Sequence, residues 1–446
     1  MRGMWVRRAA VLLLAMQLPA CNFTASIETL LSPPRLTAEQ EQIYQALQSA
    51  AGSSVSLKYP KVGEHLSAFT VADLDGDGLD EAIVFYEVSL AAADENPLRV
   101  CLLAQQGGGW RAVRDYPAAG AEIERIDIAS LGSNPRANVI IRYSLVDGGD
   151  RTAEVYHYDE SGLTRSLSVP YTLMELRDLD GDGSTELFAV SAAKAPNPAA
   201  ATVYSLDEKG QYLLTQAELS ESFIDITRLV YGFLPDRAAQ LTVPAVYIDG
   251  ASGATSTQTA VLTYENRLLQ VAYADSAEHI PNTNRPSGCQ TADIDGDGEP
   301  EIPVQGVFYG YQPGSEVPQP AMTSWYVCRN GLLMRKRSSY YAAANGFAFL
   351  MPVRWERRVT AVQGDEEIIF YEFDRDAQTD DGAPVLKDPL LRITAVTERV
   401  AAEALQLDGY LLLRQQNGTY YLGKCENAAG SLAIRESELA VNMRYF

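Results

Sequence analysis

Residues Val71–Tyr86 read VADLDGDGLDEAIVFY, a stretch in which acidic residues and glycines precede an apolar run. The same pattern returns as RDLDGDGSTELFAV at residues 177–190 and as ADIDGDGEPEIPV at residues 292–304. We call these the first, second and third acidic loops and number positions from the first Asp of each DxDGDG motif. Carboxylates occupy positions 1, 3, 5 and 9, and glycines occupy positions 4 and 6. Carboxylates this close repel one another unless a cation lies among them, so the pattern predicts cation binding.

The chemistry of these side chains favours calcium. The loops contain no His or Cys, and oxygen-only ligand sets favour calcium over zinc or copper. Glycine permits the backbone angles that let a loop curl around an ion. We therefore predict about three calcium ions, one in each loop. The predicted carboxylate ligands are Asp73, Asp75, Asp77 and Glu81 in the first loop, Asp178, Asp180, Asp182 and Glu186 in the second, and Asp293, Asp295, Asp297 and Glu301 in the third.

Two other interpretations of the loops fit the pattern less well. An EF-hand also begins with acids at positions 1, 3 and 5, but it needs a bidentate Glu at position 12. Position 12 is occupied here by Val84, Ala189 and Val304, each within a strand-like run. The pattern therefore predicts a strand–loop–strand element. A solvated acidic turn would explain one copy, whereas three copies in one register favour a calcium site.

These motifs resemble the FG-GAP/VCBS repeat family, which includes the propeller of integrin alpha subunits. The resemblance implies a β-propeller in which each calcium loop joins the first two strands of a blade. It also implies that the Asp side chains at positions 1, 3 and 5 and the acid at position 9 bind the ion. The backbone carbonyl at position 7 would complete each set, from Leu79, Ser184 and Glu299.

The rest of the sequence predicts an all-β fold. After Val55, short β-rich runs alternate with Gly, Asn, Asp and Pro turns, and blade-like segments recur at intervals of roughly 50 residues, which suits a four-stranded propeller blade. Six such segments lie between residues 55 and 388, and the remainder from Leu390 to Phe446 holds three more strand runs and a possible terminal helix. We therefore predict a propeller of about seven four-stranded blades, or six, over residues 55–446. An array of two β-sandwich domains is disfavoured because no linker follows Val55.

The N-terminal region reads as a leader and a tether. Residues 1–21 combine a positive start, a short apolar run and the sequence LPAC, which predicts a lipoprotein signal peptide with Cys21 as the lipidated residue. A plain secretory signal with an incidental Cys is the alternative. Residues 22–54 are predicted to form a tether and one short helix, because Thr37 and Gln40 have the spacing of a capping box.

Composition limits the partners. The formal net charge of the 446-residue chain is −22, which argues against nucleic acid or an anionic lipid surface as a partner. Contact with the membrane is therefore expected through the lipid anchor only. The four cysteines beyond Cys21 match neither a zinc nor a CxxC redox pattern, and Cys101 and Cys328 are predicted to be buried free thiols. A disulfide, which export would permit, is the alternative, and the sequence does not select its pairing.

The sequence contains no HExxH, GxSxG or GxxxxGK[ST] motif, and no catalytic residue is assigned. We expect a lipid-anchored, extracytoplasmic calcium-binding propeller of the cell envelope that binds a protein or glycan partner and catalyses nothing. Long polar loops, such as Asp374–Pro389, are candidates for recognition. A hydrolase or lyase acting on polysaccharide or cell-wall material is the enzymatic alternative, and a purely structural envelope lipoprotein is the third.

Overall fold

The structure is a computed structural model, and it has an all-β architecture. It describes residues 36–52, 55–88, 96–145, 151–159, 161–236, 241–274, 283–312, 317–426 and 429–446. Within these ranges the chain forms 28 strands, which assemble into six antiparallel sheets of four or five strands, and three α-helices. The all-β prediction is therefore confirmed for the described residues.

The first three sheets follow the order of the chain. In the first sheet β1 and β2 both pair with β3, which is followed by β4 and β5. The second and third sheets are simple four-stranded meanders. The strands of the first sheet are β1 (Val55–Leu57), β2 (Phe69–Ala72), β3 (Glu81–Val88), β4 (Leu98–Gln106) and β5 (Gly109–Pro117). Those of the second are β6 (Glu122–Ser130), β7 (Ala137–Ser144), β8 (Arg151–Asp159) and β9 (Gly162–Tyr171). Those of the third are β10 (Leu173–Arg177), β11 (Glu186–Ser191), β12 (Ala200–Leu206) and β13 (Tyr212–Glu218).

The last three sheets carry added strands. The strands of the fourth sheet are β14 (Asp225–Asp236), β15 (Leu241–Ala251), β16 (Ser256–Glu265), β17 (Leu268–Tyr273) and β18 (Arg285–Pro286). Those of the fifth are β19 (Ile302–Val307), β20 (Ala321–Arg329), β21 (Leu332–Ala342), β22 (Phe347–Leu350) and the C-terminal β28 (Met443–Tyr445). Those of the sixth are β23 (Val359–Gln363), β24 (Glu367–Gln378), β25 (Pro384–Val396), β26 (Leu411–Gln416) and β27 (Thr419–Cys425), in the order β23-β24-β25-β27-β26.

Each sheet packs its apolar side chains against the next sheet in sequence order. This arrangement arises because inner strands of the sheets are buried on both faces, as in the runs of β7 and β11. One pair of side chains marks each interface: Phe85 and Ile141, Val155 and Leu187, Phe188 and Ile248, Tyr247 and Ile302, and Phe349 and Phe370. Among the described side chains, no hydrophobic cluster combines residues of the first and sixth sheets.

A helix covers the face of the first sheet that points away from the second. Helix α1 (Ala38–Ala51) begins at the predicted capping box, in which the amide of Gln40 donates to Thr37 Oγ1 and the amide of Thr37 donates to Gln40 Oε1, each over 3.1 Å. Its fully buried Ile43 and Leu47 pack in one cluster with Val84 of β3. The prediction of a short N-terminal helix is therefore confirmed.

The predicted seventh blade is wrong. The C-terminal strand runs do not form a sheet of their own within the described residues, because β26 and β27 pair into the sixth sheet. Helix α2 (Arg399–Leu407) contacts β25, β26 and β27. The chain then returns through helix α3 (Glu436–Asn442), and β28 pairs with β22 of the fifth sheet. The described residues form six sheets, the smaller of the two numbers expected.

The segment Asp374–Pro389 also differs from its prediction as a long loop. It continues β24 and β25 as a hairpin whose turn lies at residues 379–383. The turn also contacts the segment after β19, because the amide of Gln312 donates to the carbonyl of Gly382 over 3.0 Å. Most of this segment is therefore ordered by backbone pairing.

The predicted signal peptide 1–21, with Cys21, lies outside the described residues. So do residues 22–35 and 53–54 of the predicted tether and short helix at 22–54. In the part of the chain that the structure describes, no helix is long and apolar enough to cross a membrane.

Candidate metal centre

The three acidic loops lie in alternate sheets. The first loop joins β2 to β3, the second joins β10 to β11, and the third precedes β19 and is closed by an isolated bridge between Ala292 and Glu301. They therefore belong to the first, third and fifth sheets. Each is a strand–loop–strand element as expected, and none begins or ends in a helix, which excludes the EF-hand geometry.

The Asp at position 1 organises each loop. In the first loop Asp73 Oδ1 accepts the amide of Gly76 over 2.7 Å, and Oδ2 accepts the amide of Gly78 over 3.0 Å. The equivalent pairs measure 2.7 and 2.9 Å at Asp178 and 2.6 and 2.8 Å at Asp293. The glycines have φ near +80°, a conformation that other residues rarely adopt. This explains why glycine occupies positions 4 and 6.

The Glu at position 9 lies beneath each loop. The exposed fractions of Glu81, Glu186 and Glu301 are 4%, 3% and 0%. One oxygen of each accepts the amide at position 2, over 3.0, 3.0 and 2.8 Å respectively. Burial raises the pKa of each carboxyl to about 7, and the nearby aspartates add to the rise. A buried carboxylate surrounded by other carboxylates is an environment that a divalent cation would stabilise.

The first and second loops each bring three predicted ligands together. One oxygen from each of Asp73, Asp75 and Glu81 lies within 4.8 Å of the others, and Asp178, Asp180 and Glu186 form the matching cluster. Among the described residues, no Lys, Arg or His forms an ion pair with these carboxylates. These two clusters therefore hold three uncompensated carboxylates each.

The position 5 side chains of these two loops accept hydrogen bonds from the local backbone. Asp77 and Asp182 lie outside the two clusters, and each accepts the amide at position 7, from Leu79 over 2.8 Å and from Ser184 over 2.7 Å. Leu79 is about half exposed and Ser184 is half-buried. Asp77 and Asp182 thus do not contribute an oxygen to the groups that converge within 4.8 Å.

The third loop contains a cation of its own. The Nζ of Lys336 lies 3.1 Å from Asp295 Oδ1, 2.6 Å from Asp297 Oδ2 and 2.6 Å from Glu301 Oε1. Arg337 also approaches Asp295, at 3.6 Å. At position 7, the Glu299 carboxylate pairs with Arg329. The sequence pattern gave no sign of these basic partners, because they lie in β20 and β21, well beyond the motif.

The second and third loops are each supported by the sheet that precedes them in the chain. The amide of Gly132 donates to the carbonyl of Thr185 over 2.7 Å, and the amide of Phe233 donates to the carbonyl of Gly298 over 3.0 Å. Beside Phe233, a Cβ on Gly232 would lie only 2.2 Å from Pro300. The second and fourth sheets, which have no acidic motif, therefore support the loops of the sheets that follow them.

A buried ion pair precedes the third loop. The fully buried guanidinium of Arg285 donates to Asp249 Oδ1 over 2.9 Å and to Thr291 Oγ1 over 3.0 Å. The amide of Thr291 donates in turn to Asp249 Oδ2 over 3.0 Å. Thr291 lies two residues before the loop begins, so this network fixes where the third loop starts. Nothing in the spacing of these residues predicted it.

Other candidate groups are structural. The cysteines Cys101 and Cys328 are buried free thiols, as predicted, and burial raises the pKa of both. The aromatic residues Phe308, Tyr311 and Tyr340 pack in or against the cluster between the fifth and sixth sheets. Phe308 and Tyr311 are therefore core residues, and Tyr340 packs against the core from a half-buried position.

Comparison with known proteins adds little to this geometry. No known protein family matches the sequence, and no curated protein matches it. A solved structure described as the exotype rhamnogalacturonan lyase YesX matches at 12% identity and a TM-score of 0.28, over 75% of this chain and 75% of that chain. At this TM-score the similarity carries no argument about fold or activity.

Proposed function

We propose that this protein is a calcium-binding module that is lipid-anchored outside the cytoplasm and binds a protein or glycan partner without catalysing a reaction. The observation that carries the calcium proposal is the matched geometry of the first and second loops. Each holds three carboxylates within 4.8 Å, arranged by the same hydrogen bonds to position 1. Calcium prefers oxygen ligands in flexible arrangements of this kind.

The ions would have a structural role. Each loop connects a buried strand to the strand or bridge before it, so an ion at the loop would hold that connection closed. A ligand that binds only the folded state stabilises it, by about 2.7 kcal/mol for one site at 100 times the dissociation constant. Two such sites would therefore contribute strongly to a protein of this size.

A propeller-like arrangement of six blades fits this role. Support comes from six successive antiparallel sheets, each packed on the next, with the acidic loops in every second sheet. In this arrangement helix α1 covers the free face of the first blade. A rigid assembly of this kind suits a module that displays its connecting segments to a partner.

The proposals of a lipid anchor and of a protein or glycan partner are supported by the sequence alone. The LPAC sequence ending at Cys21 supports lipidation, and the net charge of −22 disfavours nucleic acid and anionic lipid surfaces. The absence of a recognisable catalytic motif in the sequence favours a binding or scaffold role over the polysaccharide hydrolase or lyase considered above.

Calcium titration tests the proposal directly. Protein freed of metal with EDTA is titrated by isothermal calorimetry with calcium, and magnesium serves as the comparison ion. We expect saturable calcium binding that Asp75→Asn and Asp180→Asn each reduce by one ion. Absence of calcium binding at millimolar concentration contradicts the metal assignment. Pull-down from envelope extract with and without calcium then tests for a partner, and Cys21→Ser tests the anchor by release into the soluble fraction.

A further inference from the structure

The third acidic loop differs from the other two in one respect that bears on metal binding. The ammonium of Lys336 contacts three of its four predicted carboxylate ligands, those of Asp295, Asp297 and Glu301, within 3.1 Å. No side chain takes this place in the first two loops within the described part of the chain. The ammonium therefore stands among the carboxylates where a metal ion would otherwise be held.

The contact also rearranges the loop. In the first and second loops, the Asp at position 3 accepts the amide at position 5, over 3.2 and 3.3 Å. In the third loop, the amide of Asp297 donates instead to Asp293 over 3.2 Å. Asp295 has exchanged this local hydrogen bond for the contacts with Lys336 and Arg337. The position 3 carboxylate is thus committed to internal cations.

The backbone places Lys336 for this role. In the fifth sheet Trp325 pairs with Arg337 and Tyr326 pairs with Arg335, so Lys336 is the extra residue of a β-bulge. A bulge redirects the side chain that it carries. The bulge lies in β21, which is separated from β19 by β20. It directs the side chain of Lys336 toward the third loop.

The first sheet has the same bulge with a different residue. There Leu102 pairs with Arg114 and Leu103 pairs with Ala112, which leaves Val113 as the extra residue. The two bulges correspond in register. In the first sheet Leu103 precedes Ala104, the partner of Glu81, and so pairs with the residue after Glu81. In the fifth sheet Tyr326 pairs with Ile302, which is likewise the residue after Glu301. Val113 and Lys336 therefore occupy equivalent positions beside the first and third loops. In the third sheet Tyr204 pairs with Leu214 and Val203 with Thr215, without a bulge.

We propose that Lys336 acts as a built-in cation that occupies the third loop in place of calcium, so that the chain binds two calcium ions and closes its third loop independently of calcium. The inference rests on the proposed calcium function of the first two loops. An ion entering the third loop would have to displace an ammonium already hydrogen-bonded to the same oxygens. Lys336 is therefore the residue that determines whether the third loop, which has the same acidic motif as the other two, binds a metal ion.

Exchange of the two bulge residues tests this inference. Calcium stoichiometry is measured by calorimetry on the EDTA-treated full chain, and circular dichroism checks the fold. Wild type is expected to bind two ions, Lys336→Val is expected to bind three, and Lys336→Arg, which keeps the cation, is expected to bind two. The reverse exchange, Val113→Lys, is expected to reduce binding to one ion.

The outcomes separate this inference from the proposed function. Three ions in wild type, or two in a folded Lys336→Val variant, overturn the role of Lys336. If wild type binds no calcium but Lys336→Val gains one site, the calcium function of the first two loops fails, while the role of Lys336 in excluding the ion from the third loop stands. If Lys336→Val does not fold, the result of Val113→Lys decides: retention of both ions overturns the inference.

Discussion

Glu186 Oε2 accepts the amide of Leu179 over 3.0 Å, a contact that spans the second acidic loop from its last ligand to its second residue. The same contact joins Glu81 to Leu74 in the first loop. Both glutamates are buried. Each of these two loops is thus closed by a hydrogen bond within the protein. The other two carboxylates of each cluster place an oxygen within 4.8 Å of the glutamate.

Removal of calcium is predicted to lower the stability of the protein by the contribution of two sites. At 100 times the dissociation constant each site is worth about 2.7 kcal/mol. Asp75→Asn and Asp180→Asn should each remove one of these contributions, because each deletes a carboxylate of a three-membered cluster. Thermal unfolding with calcium and with excess EDTA measures the effect.

Asp80→Asn is the matched control for this first prediction, because Asp80 lies in the first loop outside the predicted ligand set. It should keep the full response to EDTA. A wild-type melting curve that EDTA leaves unchanged, from protein prepared without calcium, contradicts the structural role of the ion.

The sequence predicted the loops well because their information is local. Aspartate and glycine at fixed spacing specify the turn, and the structure places them between strands with closely matching hydrogen bonds. The pairing of Lys336 with the third loop was not predictable, because it depends on a bulge 35 positions beyond Glu301. The prediction of a seventh blade was wrong for a related reason. The sequence indicates where strands occur, but pairing with distant strands decides which sheet they join.

Loss of Arg285 is predicted to be among the most destabilising single changes. Arg285→Met would leave Asp249 buried and charged without its guanidinium partner. Breaking a buried ion pair by removing one member typically costs about 3–5 kcal/mol. Urea unfolding measures the loss, and Arg111→Met, at an exposed position of β5, is the control. A loss no larger than that of the control would show that the network does not hold the start of the third loop.

The attachment of the C-terminal helix is predicted to depend on pH. Arg354 donates two hydrogen bonds to Glu438 of α3, and this contact lowers the pKa of the Glu438 carboxyl. A depressed carboxyl pKa stabilises the fold above the unfolded pKa, and this contribution is lost as the pH falls through the lower, folded value. Glu438→Gln should therefore be less stable than wild type at pH 7, with the difference shrinking in acid.

Urea unfolding at pH 7 and at about pH 3 checks this dependence, since the unfolded pKa of Glu is about 4.3. Glu436→Gln, on the exposed side of the same helix, should show no comparable difference at either pH. A Glu438→Gln deficit that is equal at both pH values would assign the effect to packing and not to the ion pair.

Helix α1 is predicted to be required for the stability of the first sheet. Leu47 is fully buried and packs with the same cluster as Val84 and Tyr86 of β3. Leu47→Ala should cost about 2–5 kcal/mol, the usual range for removing a buried leucine side chain. Gln42→Ala on the exposed face of the helix is the control.

Deletion of residues 36–52 should go further and expose the apolar face of the first sheet, with increased binding of a hydrophobic dye and self-association. Unchanged dye binding and a monomeric state after this deletion would mean that another element covers that face, and direct packing between the first and sixth sheets would then be the arrangement to test.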